Sequence, residues 1–477
     1  MENANSNEVV NHNKEIDIID NPNQKSNNCS KRKIIILITS LLIGIIIIII
    51  IAATISIEPN CSVKPGKYEE ESSVKDKTFS KTEIEIAEHN TVIKLNNIKF
   101  PTSQSNDVYN EEHLYNFCNF TYKFFKNLNY KDFSPIGLYG ILINIYMAIS
   151  DKEQSELLNN ILGLSNDERI KFYSKIINNN YFENFYGEIK ISNGAFYNSD
   201  LVKENQSFIE QMTKTYTECY KLSYNKDFNF INEWISKTLK DNKDSFELNL
   251  DDKKDIGILF FSNLYYKQKW DTKFVDSDTY KDIFYIDNNN NKEVDFMKHS
   301  YHTYDYYDYD KYISFYDYYT NNFLIQYIVP KSISDNILNL VSDKNFIYEY
   351  ETNKKNETYI TLNVPKFRID NEIDFVPIME KIGLKKLFNK KYNTLSNPFI
   401  NRNDYNYYLG IFSQKNQVEL NEDGTTIKSM TVASIRPMSA NIEFGGIEVK
   451  LNQPFIYIIR DRNRLPLFIG YIKEPNY

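Results

Sequence analysis

The spacing of hydrophobic residues changes character along the chain. From Ile34 to Ile57 the chain has 24 residues without a charge, and fourteen of them are isoleucine. At a helical rise of about 1.5 Å per residue this segment is about 36 Å long, which is enough to cross a hydrocarbon layer of about 30 Å. The pattern predicts a transmembrane helix over residues 34–57, preceded by a polar tail of residues 1–33.

The charges beside this helix predict its orientation. Lys31, Arg32 and Lys33 directly precede the apolar run, so the positive-inside rule predicts a cytoplasmic tail and a lumenal or extracellular remainder, as in a single-pass type II membrane protein. A cleaved signal peptide is the alternative. Its apolar core usually has about 7–15 residues, so an uncleaved signal anchor is favoured. Sequons on the far side fit a secretory compartment and a glycoprotein; they lie at Asn60, Asn119, Asn205 and Asn356.

Beyond the anchor, the pattern predicts a linker and then one folded domain. Residues 58–105 are polar, contain charge runs such as "KYEEESSVKDK" and include one short alternating piece, "TVIKLNNIKF". We interpret them as a stalk with one strand. Residues 106–477 have no visible repeat and are expected to form the folded domain.

Within this domain, helical patterns come first and strand patterns dominate later. "HLYNFCNFTYKFFKNL" has apolar residues three and four apart, which is the helical period. "FSPIGLYGILINIYMAIS" starts with Ser134 and Pro135, a helix-start signal, and "FNFINEWISKTLK" predicts another helix. Strands are predicted in "DIGILFFSNLYYKQKW", "KYISFYDYYTNNFLIQYIVP" and "ETYITLNVPKFRID". This order indicates an α+β fold with a large mixed sheet.

Composition excludes some classes of partner. Hydrophobic residues make up 42% of the chain and charged residues 25%, and the net charge of −8 is spread over both signs. A nucleic-acid partner would require a basic face, so none is expected. The cysteines are too few and too widely spaced for a disulfide scaffold or a metal site; they are Cys29, Cys61, Cys118 and Cys219. We expect buried or idle thiols, although the three beyond the predicted anchor leave room for one disulfide.

The residues of a catalytic centre are also missing from the sequence. His299 and His302 lie in "KHSYHTYDYYDYD", which we interpret as a loop entering a strand, and residues three apart on a strand face opposite sides. "DNNNNKEVDFMK" has Lys292 and Lys298 where a calcium loop needs Gly and Glu, so it predicts a hairpin turn. No G-x-S-x-G, H-E-x-x-H or phosphate loop occurs. We therefore expect neither an enzyme nor a bound metal or cofactor.

Several motifs of the predicted domain resemble those of a single protein family. "SNLYYKQKWDTKFVDSDTY" resembles the serpin signature through Asn263, Tyr265, Tyr266, Lys267, Trp270, Phe274 and Thr279. The other motifs follow in family order over residues 106–477; they are "FSP" at Phe133–Pro135, "NGAFYNSDL", "VPKF" at Val364–Phe367, "IGLKKLF" with "TLS" after it, "VELNEDGTT" and "QPFIYIIRDRNRLPLFIGYIKEP". The resemblance implies a large central mixed sheet, two smaller sheets, surrounding helices and an exposed reactive loop.

In such a family the segment after "NEDG" is the reactive loop. A protease cleaves it and is held as an acyl-enzyme, while the cut loop enters the central sheet as a new strand. Family spacing implies cleavage after Met438, with Ser439 supplying the amine, and Met438 suits elastase-, chymotrypsin- or subtilisin-like serine proteases. Arg436 is the alternative for a trypsin-like protease, but Pro437 follows it and makes a poor scissile bond.

The resemblance also implies two groups of residues that act on loop insertion. The hinge of the loop consists of Glu422, Gly424, Thr425, Thr426 and Ile427, and the region where the sheet opens contains Ser134, Asn263, Trp270, Lys366 and Gln414. Glu422 and Lys366 match a family ion pair at the top of the sheet. Strand alternation assigns Thr425 and Ile427 to the buried side of the inserted loop, with Ser429, Thr431, Ala433 and Ile435, and leaves Lys428 on the outer side.

Some positions depart from the family pattern. Bulky Ile427, Lys428 and Met430 replace small residues after the hinge, and Gln414 and Gln268 stand where the family usually has His and Gly. Together with the predicted anchor, the resemblance implies a monomeric, membrane-anchored, suicide-type inhibitor of serine proteases. It leaves open a non-inhibitory serpin that acts as a binding or chaperone module.

Overall fold

The computed structural model describes residues 91–241, 245–340, 356–401, 404–427 and 447–477. The α-helices in these ranges are α1 (Glu111–Asn127), α2 (Pro135–Ala148), α3 (Lys152–Leu162), α4 (Asn166–Asn179), α5 (Gln206–Lys214), α6 (Asn229–Leu239), α7 (Ile337–Leu340) and α8 (Val376–Met379). Irregular helical turns continue α8 to Phe388.

The strands of the described residues are β1 (Ile93–Lys94), β2 (Phe182–Asn184), β3 (Gly187–Asn198), β4 (Thr217–Leu222), β5 (Ile258–Lys269), β6 (Tyr280–Tyr285), β7 (Asn291–Asp308), β8 (Tyr312–Tyr318), β9 (Leu324–Pro330), β10 (Asn356–Pro365), β11 (Phe367–Asp374), β12 (Ser413–Asn421), β13 (Gly424–Ile427), β14 (Ile447–Lys450), β15 (Phe455–Arg460) and β16 (Pro466–Ile472). Helices and strands are both numerous, so the expected α+β class is confirmed.

One large mixed sheet, here called the main sheet, has the strand order β1-β4-β3-β5-β13-β12-β11, with β2 paired to β3. Strands β3 and β4 are parallel, whereas the other neighbours are antiparallel. The short strand β13 lies between two long strands, β5 and β12. This central position makes β13 the element around which the candidate site is built.

The two smaller sheets share one long strand. Strand β7 has 18 residues. It pairs with β6 from Asn291 to Phe296, with β10 from Phe296 to Tyr306 and with β8 from Asp305 to Asp308. On one side of β7, strand β10 is followed by β14. On the other side, β8 is followed by β9, β15 and β16. The shared strand therefore joins the two expected small sheets into one continuous array.

Helix α2 lies between the two layers of sheet and contacts β5 and β16. Its residues are apolar on all sides, and most of them are buried, as expected for a helix in the interior of a large protein. Ser134 is the N-cap and accepts a hydrogen bond from the Gly137 N–H at 3.3 Å, while Pro135 occupies the first turn. These are the start signals that the sequence contained.

Most of the predicted elements are confirmed, namely helices α1, α2 and α6, strands β5, β8 and β9, and the hairpin turn between β6 and β7. Two details were wrong. The stretch "ETYITLNVPKFRID" forms two strands in different layers, because β10 belongs to the smaller sheets and β11 to the main sheet. His299 and His302 lie within β7 and not in a loop, and the buried His299 ring stacks on Phe274.

Part of the predicted stalk contacts the edge of the main sheet. Strand β1 pairs with β4, and the Leu95 N–H donates to the Cys219 carbonyl at 2.8 Å. The predicted anchor, residues 34–57, lies outside the described residues. Within the described ranges, no helix is long and apolar enough to cross a membrane.

In two of the sequons, a side chain forms hydrogen bonds within the folded domain. Thr121, the hydroxyl residue of the Asn119 sequon, is buried and donates to the Phe117 carbonyl at 2.9 Å. Asn205 caps helix α5, and its amide donates to the Asn397 carbonyl at 2.9 Å. Both sequons therefore have structural roles, and Asn60 lies outside the described residues.

The thiols of Cys118 and Cys219 are buried and form no disulfide. Burial raises the pKa of each thiol to about 12, so both remain protonated at neutral pH and are poor nucleophiles. This fits the expected buried thiols at these two positions, while Cys29 and Cys61 lie outside the described residues.

Asp132 places a carboxyl group in the core, directly before helix α2. It is buried against Gly470, where a Cβ would come within 1.7 Å of Asp132 Oδ1, and it accepts a hydrogen bond from the Tyr457 hydroxyl at 3.0 Å. Burial raises the pKa of Asp132 to about 7, although the bonds from Tyr457 and from backbone N–H groups oppose the rise. Ionisation of this carboxyl therefore opposes folding.

We expect the Asp132→Asn variant to lose part of the pH dependence of stability. Between the unfolded pKa near 3.8 and the folded pKa near 7, the unfolded chain releases a proton that the folded chain retains, so stability falls as pH rises. Between pH 5 and pH 8 this loss is up to about 3 kcal/mol. Melting temperatures measured across this range should fall less for the variant. Parallel curves for the two proteins would contradict the assignment.

Candidate functional site

The "NEDG" segment forms a tight turn that returns the chain into the main sheet. After β12 ends at Asn421, the chain reverses, and β13 runs antiparallel to both β12 and β5. Thr425 lies opposite Leu420 on one side and Gln268 on the other. The four residues Gly424–Ile427 are thus already a strand of the sheet.

Gly424 is required by the geometry of this turn. Its φ of 151° lies in a region that side chains disfavour, and a Cβ there would lie 2.1 Å from the Gln268 carbonyl oxygen. Because that neighbour is backbone, it cannot move aside as a flexible side chain would. Gly424 therefore allows β13 to approach β5 closely.

Charged groups hold the acidic residues of the turn on both sides. Lys366 Nζ lies 3.2 Å from Glu422 Oε2, and the Thr279 hydroxyl donates to Glu422 Oε1 at 2.8 Å. Lys273 Nζ lies 2.7 Å from Asp423 Oδ1. Burial alone would lower the pKa of Lys366, but the hydrogen bond and charge of Glu422 outweigh it, and the pKa is raised. The turn is therefore held by charge-assisted contacts, which are stronger than neutral hydrogen bonds.

A cluster of aromatic rings lies beneath the hinge. Thr425 is fully buried, and its hydroxyl lies 2.5 Å from the Tyr319 hydroxyl. The Tyr319 ring stacks on Trp270 with centroids 4.5 Å apart. The Trp270 indole N–H donates to the Asn421 carbonyl at 2.8 Å. Trp270 and Tyr319 therefore bind both ends of the turn, which explains the place of Trp270 in the signature.

Gln414 ties strand β12 to the start of helix α2. Its side-chain oxygen accepts from the Ser134 N–H at 2.8 Å, and its side-chain amide donates to the Ser134 carbonyl at 3.1 Å. Ser134 also donates through its hydroxyl to the Leu467 carbonyl at 3.2 Å. The amide at position 414 thus makes a two-point contact with backbone in place of the usual His.

Asn263 makes its side-chain hydrogen bond to a different helix. Its amide donates to the Thr238 hydroxyl of α6 at 2.7 Å, so it faces α6 and not α2. The preceding residue, Ser262, faces the interior, where it lies near the Tyr173 hydroxyl. Adjacent residues of a strand face opposite sides, which is why the contacts of Ser262 and Asn263 differ. Asn263 nevertheless lines the same cavity as Ser134 and Gln414, and its place in the sheet-opening region stays a prediction.

A glycine on the neighbouring strand leaves room for the side chain of Gln268. Its side chain is buried and accepts from the Asn321 amide at 3.0 Å. Opposite it lies Gly187, where a Cβ would come within 2.3 Å of Gln268 Oε1. The larger residue on β5 is therefore accommodated because its partner on β3 is glycine.

A cavity of about 620 Å³ lies between β5 and β12 below the inserted hinge. Both strands line it, with residues 258–264 on one side and 413–417 on the other. Helix α2 and the segment 246–250 contribute apolar side chains, including Leu138, Ile141 and Phe246. Among the described strands, β13 therefore joins β5 to β12 at one end of the main sheet, and no strand pairs with this edge of β5 from Ile258 to Tyr265.

The remaining loop residues lie outside the described part of the chain. These are positions 428–446, which include Lys428, Met430, Arg436 and the proposed reactive bond Met438–Ser439. Ile427 is the last hinge residue of β13, and its backbone lies opposite Tyr266. The insertion register that was inferred from alternation agrees with the burial of Thr425 and with the half-exposed Thr426.

Comparisons with known proteins agree with this architecture. Residues 115–475 match the family model described as Serpin (serine protease inhibitor), and the chain belongs to the serpin family. Serine proteinase inhibitor 1 of monkeypox virus is 25% identical over 289 residues, which cover 57% of this chain and 76% of that protein. Alpha-2-antiplasmin of Mus musculus is 22% identical over 255 residues, covering 53% of this chain and 49% of its own length.

Solved structures have the same fold. The thermophilic serpin tengpin in its native state is similar with a TM-score of 0.68 and 21% identity, covering 80% of this chain and all of that chain. Human thyroxine-binding globulin in complex with its hormone has a TM-score of 0.64 and 17% identity, with 77% and 99% coverage. The central sheet and surrounding helices therefore form the serpin fold.

Two residues of the hinge environment were missed by reasoning from sequence. Tyr319 reaches Thr425 across 106 positions of chain, and nothing in the local pattern around it indicates that contact. Lys273 offered a signal, because it lies inside the signature motif directly before Phe274. Its role becomes clear only through its ion pair with Asp423.

We expect the Gly424→Ala variant to release the hinge strand. The new Cβ would overlap the Gln268 carbonyl oxygen, so hydrogen exchange of the Thr425–Ile427 amides should accelerate by at least about tenfold. Gly410→Ala is the matched control, because a Cβ at position 410 has no atom within 4 Å. Equal protection of these amides in Gly424→Ala and wild type would contradict the close approach.

Proposed function

We propose that the protein is a membrane-anchored suicide-type inhibitor of serine proteases. The observation that carries the proposal is the position of β13, whose residue Thr425 is buried between β5 and β12. A strand that has begun to enter a separated pair of strands is suited to continue between them.

The register of β13 supports a definite path for the cut loop. Thr425 lies opposite Gln268 and Ile427 opposite Tyr266, so continued antiparallel pairing puts Ile435 opposite Ile258, the first residue of β5. About eight further residues then complete the strand. Each added ladder hydrogen bond stabilises the sheet by about 0.5–1.5 kcal/mol net, which favours insertion after cleavage.

The chemistry of the loop fits this path. Residues on the same side as Thr425 are uncharged up to Ile435, and Lys428 falls on the outer side, so insertion buries no charge. Ile427 and Met430 are larger than the small residues usual in the family, and bulk there slows insertion if the cavity does not accept it. The cavity beneath the sheet is lined largely by apolar residues, which supports acceptance of large side chains on the same side as Thr425. Met430 falls on the outer side, with Lys428.

The bait residue in this proposal is Met438. The protease serine attacks the Met438 carbonyl carbon, the peptide bond to Ser439 breaks, and the acyl-enzyme moves with the inserting loop. Met438 suits an apolar specificity pocket, as in elastase-, chymotrypsin- and subtilisin-like enzymes. Arg436 would suit a trypsin-like protease, but a Pro437 bond is a poor substrate because the proline ring restricts the backbone.

The membrane part of the proposal rests on residues 34–57 and the preceding basic cluster. A single helix would hold a monomeric inhibitor at a lumenal or extracellular membrane face. A serpin that does not inhibit but acts as a binding or chaperone module is the second candidate. The large residues after the hinge, Ile427, Lys428 and Met430, favour it.

Mixing the full chain in detergent with elastase or subtilisin should give an SDS-resistant covalent complex. The released fragment should begin at Ser439, because Met438 is then the acylating residue. Chain that is cut in the loop should also melt at a higher temperature than intact chain, since the completed strand stabilises the sheet. Simple cleavage without a complex would instead favour the non-inhibitory candidate.

We expect the Thr425→Arg variant to become a substrate of the same proteases. A guanidinium at this fully buried position would have no carboxylate partner, and an unpaired buried charge opposes insertion strongly. The number of inhibitor molecules consumed per protease should rise severalfold. Thr426→Arg is the matched control, because position 426 faces outward. Equal inhibition by Thr425→Arg and wild type would refute the register.

A further inference from the structure

The hairpin between β2 and β3 exposes two aromatic rings at its turn. Phe185 is 82% exposed and Tyr186 is 51% exposed. Such two-residue turns usually contain Gly, Asn or Asp. Large apolar rings that lie in solvent contribute little to folding, and a cluster of them is a common mark of a binding surface.

The turn is held rigidly although its rings are free of the core. The Asn184 side chain accepts from the N–H groups of Tyr186 at 2.9 Å and Gly187 at 3.0 Å, and its amide donates to Asn321 at 3.0 Å. The Tyr186 carbonyl accepts from the Lys269 N–H and from the Thr320 hydroxyl. A partner would therefore meet a preformed surface, which lowers the entropy lost on binding.

A cation completes the surface. Lys269 Nζ lies 4.3 Å from the centroid of the Phe185 ring, and the Phe185 and Tyr186 rings meet edge to face at 5.4 Å. Lys269 is exposed and forms no salt bridge within the described ranges. Aromatic rings beside a cation are typical of the few residues that dominate protein interfaces. This combination fits an apolar patch that is bordered by carboxylates.

The hairpin lies close to the hinge of the reactive loop, and this position indicates which partner can reach it. Gly187 lies opposite Gln268, and Gly424 lies opposite Lys269 on the other side of the same strand. Two strand spacings separate the hairpin from the hinge, which is about 10 Å. Met438 follows Ile427 by eleven residues and Ser439 precedes Ile447 by eight, which limits the reactive bond to within about 38 Å of Ile427 and about 28 Å of Ile447.

A protease bound to that bond is held within this reach of the hinge end of the sheet. A globular protease of about 230 residues has a radius of gyration of about 17 Å. The maximum distance of the reactive bond from Ile427 and from Ile447 is comparable to the diameter of such a protease. The hairpin turn, beside the point where the loop leaves the sheet, therefore falls within the reach of the protease surface.

We propose that Phe185, Tyr186 and Lys269 form an exosite that binds the target serine protease while its active site engages the reactive loop. The exosite takes an apolar patch of the protease that carries neighbouring Asp or Glu side chains. It strengthens the first, noncovalent complex and takes no part in acylation or loop insertion. This inference rests on the inhibitory function proposed above.

The test measures noncovalent binding of elastase or chymotrypsin whose nucleophilic serine has been changed to alanine. Full chain in detergent is titrated in a calorimeter, once as wild type and once as the Phe185→Ser/Tyr186→Ser variant. We expect the variant to bind these proteases at least about tenfold more weakly. With active protease, its covalent complex should form more slowly, while the number of inhibitor molecules consumed per protease stays the same.

The control is an Ile400→Ser/Tyr405→Ser variant. Ile400 is 68% exposed and Tyr405 is 47% exposed, and both lie near the Gly257 end of β5, far from the hinge. This control should bind like wild type. Equal binding by the hairpin variant, or no binding of either inactive protease to wild type, would overturn the exosite.

Two further outcomes separate the exosite from other interpretations. A wild-type dimer that becomes monomeric in the hairpin variant would assign the surface to a second copy of the chain and overturn the proposal. Absence of the SDS-resistant complex, together with a binding difference between the inactive-protease titrations, would remove the inhibitory function but retain the exosite. The two proposals thus fail by different measurements.

Discussion

The contact on which the structure depends is the packing of Thr425 between strands β5 and β12. This residue is fully buried, and its hydroxyl meets the Tyr319 hydroxyl. Among the described residues the central strand β13 has four, and farther along its two neighbours, β5 and β12, line a cavity. Of the described strands, none pairs with the β12-facing edge of β5 before Tyr266, where a further strand would find backbone hydrogen-bonding groups. The proposed inhibitory mechanism follows from this incomplete pairing.

The surroundings of the hinge control when that strand can extend. At one end, ion pairs hold Glu422 and Asp423, and Trp270 binds the Asn421 carbonyl. At the other end, Gln414 bonds to the backbone of Ser134, so β12 is tied to the start of α2. Further movement of β12 away from β5 would have to act against these contacts. Their polar and local nature allows opening without loss of the apolar core.

Much of the site was predictable because the motifs are local in sequence. The acidic turn, the glycine after it and the signature around Trp270 all lie in short segments whose residue types depend on nearby geometry. Contacts between distant segments were not predictable in the same way. Tyr319 and Thr425 meet only because β8 leads into the loop beside Trp270. Asp132 is buried because Gly470 leaves space for its carboxyl.

The sequence by itself determined the class of fold, the start of α2, the strands around the hinge and the burial of Thr425 with the more exposed Thr426. These features depend on local backbone preference and on the periods of helix and strand. Tertiary structure alone decided which neighbour each face meets. It turned Asn263 toward Thr238 and Ser262 toward the interior, and it divided β10 and β11 between two sheets. The physical reason is that a period fixes which residues share a face, whereas packing with distant segments fixes what that face contacts.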